Sequence, residues 1–132
     1  MHILLADDQA EVRSALRLLL EQEPGMCVVG EAAEAETLLA QEEATQPDLV
    51  LLDWELPGAQ ITDLLSALRV RCRRTIVIAL SGRLEARQEA VDAGIDAFVS
   101  KGDPPEYLLA TLYAFREAEI AHHPTGCVKR EA

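Results

Sequence analysis

A chain of 132 residues with a formal charge of −11 repels a phosphate backbone, which excludes nucleic-acid binding by this segment itself. Apolar residues make up 49% and charged residues 27%, the balance of one folded domain that can bury roughly two-thirds of its unfolded surface without metal or disulfide support. The three cysteines, Cys27, Cys72 and Cys127, lack metal-ligand spacing and read as reduced thiols of a cytoplasmic protein, Cys27 as a buried one.

Aromatic residues are scarce, so the core must be built from Leu, Val, Ile and Ala. No charged leader precedes the first apolar run and no apolar stretch is long enough to span a bilayer, so neither signal peptide nor membrane segment is expected.

In chain order, short apolar runs alternate with helix-periodic segments. The runs are Ile3-Leu4-Leu5, Cys27-Val28-Val29, Leu49 to Leu52, Thr75 to Ala79 and Ala97-Phe98-Val99. Each is nearly continuous rather than alternating, the pattern of a strand buried on both faces of a parallel sheet. After the first run, Val12, Leu16, Leu19 and Leu20 share a helix face; Leu38 and Leu39 follow the second. Ile61, Leu64, Leu65 and Leu68 follow the third, Leu84 and Val91 the fourth, and Leu108, Leu112 and Phe115 the fifth. Five repeats of strand then helix predict a (βα)5 doubly wound α/β sheet. Punctuation agrees. Pro47 and Pro57 bracket the third run, Gly94 ends the fourth helix, and Asp103-Pro104-Pro105-Glu106 reads as an N-cap, proline at the first helical positions and Glu at N3. Residues 1–120 read as one domain, and 121–132 as a tail or the start of a linker.

Open α/β sheets collect ligands at the carboxyl ends of their strands. There the first run delivers Asp7 and Asp8, the third Asp53, the fourth Ser81, and the fifth Ser100 and Lys101. Carboxylates crowded into one cleft repel each other, and Mg²⁺, which takes a few oxygens and keeps several waters, relieves that repulsion. Beside the metal and Lys101, Asp53 can act as a carboxylate nucleophile toward phosphorus. Taken singly, each residue has a plainer role: Asp8 with Glu11 as a capping box, Asp53 as a turn residue, Lys101 as a surface lysine, Ser81-Gly82 as a turn, and Phe98 as core packing. Four in register on four strands argue against coincidence. His2, His122 and His123 have no metal spacing and are assigned no function.

The stretches Leu4-Leu5-Ala6-Asp7-Asp8, Leu49 through Gly58, Ile78-Ala79-Leu80-Ser81-Gly82 and Ala97-Phe98-Val99-Ser100-Lys101 resemble the four signature segments of response-regulator receiver domains. The resemblance covers residues 1 to about 120 and is nearest in wording to the class with a LuxR/FixJ-type output domain. It implies a flavodoxin-like, CheY-like sheet of strand order 2-1-3-4-5 and a two-component signalling role. Asp53 would accept a phosphoryl group from a histidine kinase. Asp7, Asp8 and Asp53 with the backbone carbonyl of Glu55 would hold Mg²⁺. Lys101 would pair with the phosphoryl group, Ser81 would swing toward it, and Phe98 would be the switch aromatic that follows inward. The face formed by the fourth helix, fifth strand and fifth helix would then dimerise or dock a partner. DNA would be reached only through an output domain outside this segment.

Some positions depart from the pattern. Gly102 stands where many receivers have proline, and Phe98 replaces the commoner tyrosine. Glu55 sets a carboxylate at the mouth of the site, where it is expected to slow or redirect phosphoryl loss. Two other classes compete. A haloacid-dehalogenase-like phosphatase uses similar groups, but its nucleophile lies on the first strand and its acidic pair comes last, the reverse of this order. An FMN binder needs a Ser/Thr/Gly-rich loop after the first strand, where this chain has Ala6-Asp7-Asp8-Gln9.

Overall fold

The computed structural model describes residues 1–71 and 74–121. Strands β1 (His2–Ala6), β2 (Cys27–Ala32), β3 (Leu49–Asp53), β4 (Ile76–Ser81) and β5 (Ala97–Ser100) alternate with helices α1 (Ala10–Glu21), α2 (Ala35–Thr45), α3 (Ile61–Arg71), α4 (Ala86–Asp92) and α5 (Pro105–Ala121). The strands are all parallel, as the apolar runs predict, in the order β2-β1-β3-β4-β5 that the family resemblance implies.

The continuous apolar runs are explained by two cores, one on each face. Ile3, Leu5, Leu49, Leu51 and Ile78 point to the side covered by Leu20 of α1 and Leu108 and Leu112 of α5. Leu4, Val50, Leu52 and Val77, their alternating neighbours, pack under Leu38 of α2 and Leu64, Leu65 and Leu68 of α3. Because β1 and β3 sit in the sheet interior, neither face of either strand can be polar. Leu52 is fully buried among these side chains. Leu52→Ala is expected to lose about 2–5 kcal/mol of stability, read as a lower urea midpoint with an unchanged slope.

Several local expectations are corrected. Cys27 is exposed, because it opens β2 at the edge of the sheet. Cys72, Cys127 and the proposed tail from 122 onward lie outside the described residues. Strand β2 runs on to Ala32 although Gly30 and Glu31 interrupt its apolar run; the pairing shifts between Ile3 and Leu4, so that Leu4 meets Gly30. The inner face of α4 is Ala86 and Ala90, while Leu84 precedes the helix and, with Val91, is exposed. These small side chains let the short helix lie close over Trp54, Ala79 and Phe98. Helix α1 starts after Gln9 with no capping box: the carboxylate of Asp7, not Asp8, accepts the Gln9 amide at 2.9 Å. Asp103 sits one residue too early to cap α5, and its carboxylate turns back to the Ser100 amide at 3.2 Å.

Gly94 does end α4, at φ +94° with its amide on the Val91 carbonyl, a conformation that favours glycine.

Candidate functional site

One residue beyond the ladders, the carboxyl edge of the sheet is still stitched together. The Trp54 amide donates to the Leu80 carbonyl at 2.8 Å, and the Lys101 amide to the Ser81 carbonyl at 2.9 Å. The ends of β3, β4 and β5 are therefore fixed against one another, which holds Asp53, Ser81 and Lys101 at one place. Asp7 enters from β1 alongside, its amide on the Ala32 carbonyl at 3.0 Å.

Asp7 and Asp53 are almost fully buried, whereas Asp8 is exposed at the rim. Each can offer an oxygen within 4.8 Å of the others. The Lys101 ammonium reaches into this cluster, 2.8 Å from Asp7 Oδ2 and 3.5 Å from Asp53 Oδ1. Burial pushes the Asp53 carboxyl above its ordinary value and the nearby Asp7 charge adds to this, against the Glu55 amide and Lys101. Burial would lower the Lys101 ammonium, but its bonds to Asp7 and Asp53 outweigh that and raise it. One ammonium facing three carboxylates leaves the cluster short of positive charge. Oxygen donors at this spacing, with a charge deficit to fill, suit a hard divalent cation such as Mg²⁺.

Ser81 is fully buried, and its hydroxyl is already engaged: Oγ lies 3.0 and 3.1 Å from the two Glu55 carboxylate oxygens. The Arg83 amide donates to the same Oγ at 3.0 Å, and the Arg83 guanidinium holds Glu55 at 3.0 Å. Glu55 therefore does not project freely over the site; it is tied to the fourth strand's end. Its own amide donates to Asp53 Oδ1 at 3.0 Å. Phe98 is already packed inward against Trp54, Ala86 and Ala90, with the Arg87 guanidinium 4.8 Å above its ring. The Trp54 indole N–H donates to Glu89 of α4 at 2.5 Å, so the residue after Asp53 is bonded directly to that helix.

The site thus brings together Asp7, Asp8, Asp53, Ser81 and Lys101, with Glu55 at its border. Ser100 instead turns its hydroxyl to the Gly102 amide at 3.2 Å. Sequence reasoning missed Arg83 and Glu89. Arg83 had a signal: it stands two past Ser81 as Glu55 stands two past Asp53, on adjacent strands in which Asp53 pairs with Leu80. Charges of opposite sign at matching offsets meet.

Residues 3–113 match the family model described as response regulator receiver domain. Among curated proteins, the nitrate/nitrite response regulator protein NarL of Escherichia coli K12 is 33% identical over 120 residues, covering 89% of this chain and 56% of NarL. A protein-glutamate methylesterase/protein-glutamine glutaminase of Cereibacter sphaeroides is 39% identical over 102 residues, covering 75% of this chain and 28% of that protein. The chain therefore spans about half or less of these relatives. Among solved structures, a LuxR-family two-component response regulator from Aurantimonas superposes with TM-score 0.80 at 29% identity, covering 86% of this chain and 83% of that one. The isolated REC domain of RcsB from Salmonella, solved with the phosphomimetic BeF3⁻, has the same fold at TM-score 0.82 and 23% identity, over 89% and 88% of the two chains. The dehalogenase-like alternative finds no support in these matches. With its acidic pair first, its central Asp on β3 and its lysine after β5, this chain belongs to the response-regulator receiver domains of two-component signal transduction.

Proposed function

We propose that Asp53 is the phosphoacceptor of this receiver and that a histidine kinase is its donor. The observation behind this is the Lys101 ammonium lying between Asp7 and Asp53 at the foot of a buried carboxylate cluster. Asp7, Asp8 and Asp53, with the Glu55 carbonyl, would hold Mg²⁺, which when bound neutralises charge on the phosphoryl oxygens. An Asp53 carboxylate oxygen attacks phosphorus in line as the donor's P–N bond breaks. Lys101 shifts from pairing two carboxylates to pairing the phosphoryl oxygens, and the buried walls limit access of water. Incubation with Mg²⁺ and acetyl phosphate, followed by intact mass, tests this; the expected result is the gain of a single phosphoryl group.

The domain does not turn over an external substrate in this reading; steady release of phosphate from a simple phosphate ester would overturn that. Residues 1–120 form the switch of a cytoplasmic protein, and 121–132 read as a tail or the start of a linker. Phosphorylation promotes self-association through α4, β5 and α5, a face that leaves Val91 and Tyr107 exposed. Sedimentation with beryllofluoride is expected to show a heavier species than without it. An unchanged sedimentation coefficient across a wide concentration range would exclude that role for the face.

A further inference from the structure

We infer that Arg13 is a positioning residue for the metal seat: its bond to the Asp7 carbonyl aims the Asp8 carboxylate. This rests on the Mg²⁺ reading above. Arg13 lies in the first turn of α1 and folds back over the β1–α1 loop, where Nη1 donates to the Asp7 backbone carbonyl at 2.7 Å. Its Nε meets Glu31 at 2.9 Å, and Glu31 is held from its other side by Arg17 at 2.8 Å. The guanidinium is thus anchored at both ends, to the end of β2 and to the loop.

The two aspartates are held very differently. Asp7 is fixed through its amide on Ala32, its Oδ1 on the Gln9 amide and its Oδ2 on Lys101. Asp8 is exposed, and its carboxylate has no hydrogen-bond partner among the described residues. What aims it is the backbone alone. The peptide between Asp7 and Asp8 is planar, so fixing the direction of the Asp7 carbonyl fixes the plane from which the Asp8 side chain departs. Arg13 is the group that fixes it.

Electrostatics and positioning predict opposite signs. As a charge, Arg13 opposes a cation bound nearby, and its removal would tighten Mg²⁺ binding. As a positioning group, its removal loosens Asp8 and weakens binding; groups that orient ligands typically contribute about 10- to 100-fold in metal affinity. Pairing with Glu31 mutes the charge and leaves the geometry, so weakening is expected.

The test is a Mg²⁺ titration of wild type, Arg13→Gln, Arg13→Lys and Glu31→Gln, followed by the amide shifts of residues 7–9 and 53–55. Arg13→Gln is expected to bind about tenfold more weakly, with Arg13→Lys, which can still donate to the carbonyl, partly restored. Glu31→Gln should fall between wild type and Arg13→Gln, because the carbonyl bond survives there. Should Arg13→Gln not fold, Arg13→Lys still decides the matter, since it keeps the charge and only lost positioning can weaken binding there. Equal or tighter binding in the folded variants overturns the role of Arg13 while leaving the metal reading intact. Failure of wild type to bind Mg²⁺ overturns both.

Discussion

Asp53→Asn is expected to gain no phosphoryl group from acetyl phosphate and Mg²⁺, under conditions where the wild type gains one. An amide is no nucleophile toward phosphorus at neutral pH, and the neighbouring carboxylates cannot replace it. Asp7 is already engaged by Lys101 and the Gln9 amide, and Asp8 is exposed at the rim. Persistent labelling of the variant would remove Asp53 from the mechanism. The same substitution carries a second, opposite-looking result. Burial and the charge of Asp7 raise the Asp53 carboxyl above its ordinary value of 3.8. Between that value and the raised one, the native state holds the proton more tightly than the unfolded chain, so stability falls as pH rises through the window. Above it the ionised carboxylate opposes folding in full. Without Mg²⁺ at neutral pH, Asp53→Asn should therefore be more stable than wild type, with the gap closing as pH drops below the ordinary carboxylate range. Urea midpoints across pH check this, and a destabilised variant at neutral pH would contradict it. Activity lost with stability gained is the signature of an acid held ionised for chemistry.

The second large effect is expected at Glu55. The sequence suggests a carboxylate standing over the site and disturbing water or metal. In the structure that carboxylate instead holds the Ser81 proton and is itself held by Arg83. A serine has one proton to donate, so Ser81 can serve Glu55 or an acceptor on Asp53, but not both. Hydrogen bonds to charged groups are stronger than neutral ones by about 1 kcal/mol or more. Glu55→Gln weakens the competing acceptor and removes a negative charge facing the incoming one. Because the Glu55 side chain is 39% exposed, solvent screens part of this, and beryllofluoride affinity should rise about fivefold to tenfold. Trp54, the single tryptophan, lies beside the site and reports the titration by its fluorescence. The phosphoryl half-life should change as well. Unchanged affinity and half-life together would mean that Glu55 does not restrain Ser81.

Most of the framework is legible in the sequence because its causes are local. A continuous run such as Leu49 to Leu52, one of five alternating with helix-periodic segments, reads as a strand of a sheet covered on both faces, and the residue after such a run emerges at the carboxyl edge, where open α/β sheets bind ligands. That reasoning locates Asp53, Ser81 and Lys101 without reference to anything distant. What it misses depends on reach or on compensation between elements. Arg13 and Arg83 act through long side chains whose destinations, the Asp7 carbonyl and Glu55, are set by how helix and loop pack. The inner face of α4 defies hydropathy because Trp54 and Phe98 fill the space that larger residues would need, leaving room for Ala86 and Ala90. Asp103 looks like a cap by spacing, yet the Ser100 amide is nearer to hand.

The stitched sheet edge has a further consequence for isotope exchange. The Trp54 and Lys101 amides end on the backbone carbonyls of Leu80 and Ser81, which phosphorylation of Asp53 leaves chemically unchanged. The Glu55 amide ends on Asp53 Oδ1, an oxygen of the carboxylate that would be phosphorylated. Deuterium uptake along this strip therefore contains its own reference: two amides follow opening of the sheet edge, and a third responds also to the chemical state of its acceptor. Covalent modification and global loosening would leave different traces in the same short stretch of backbone.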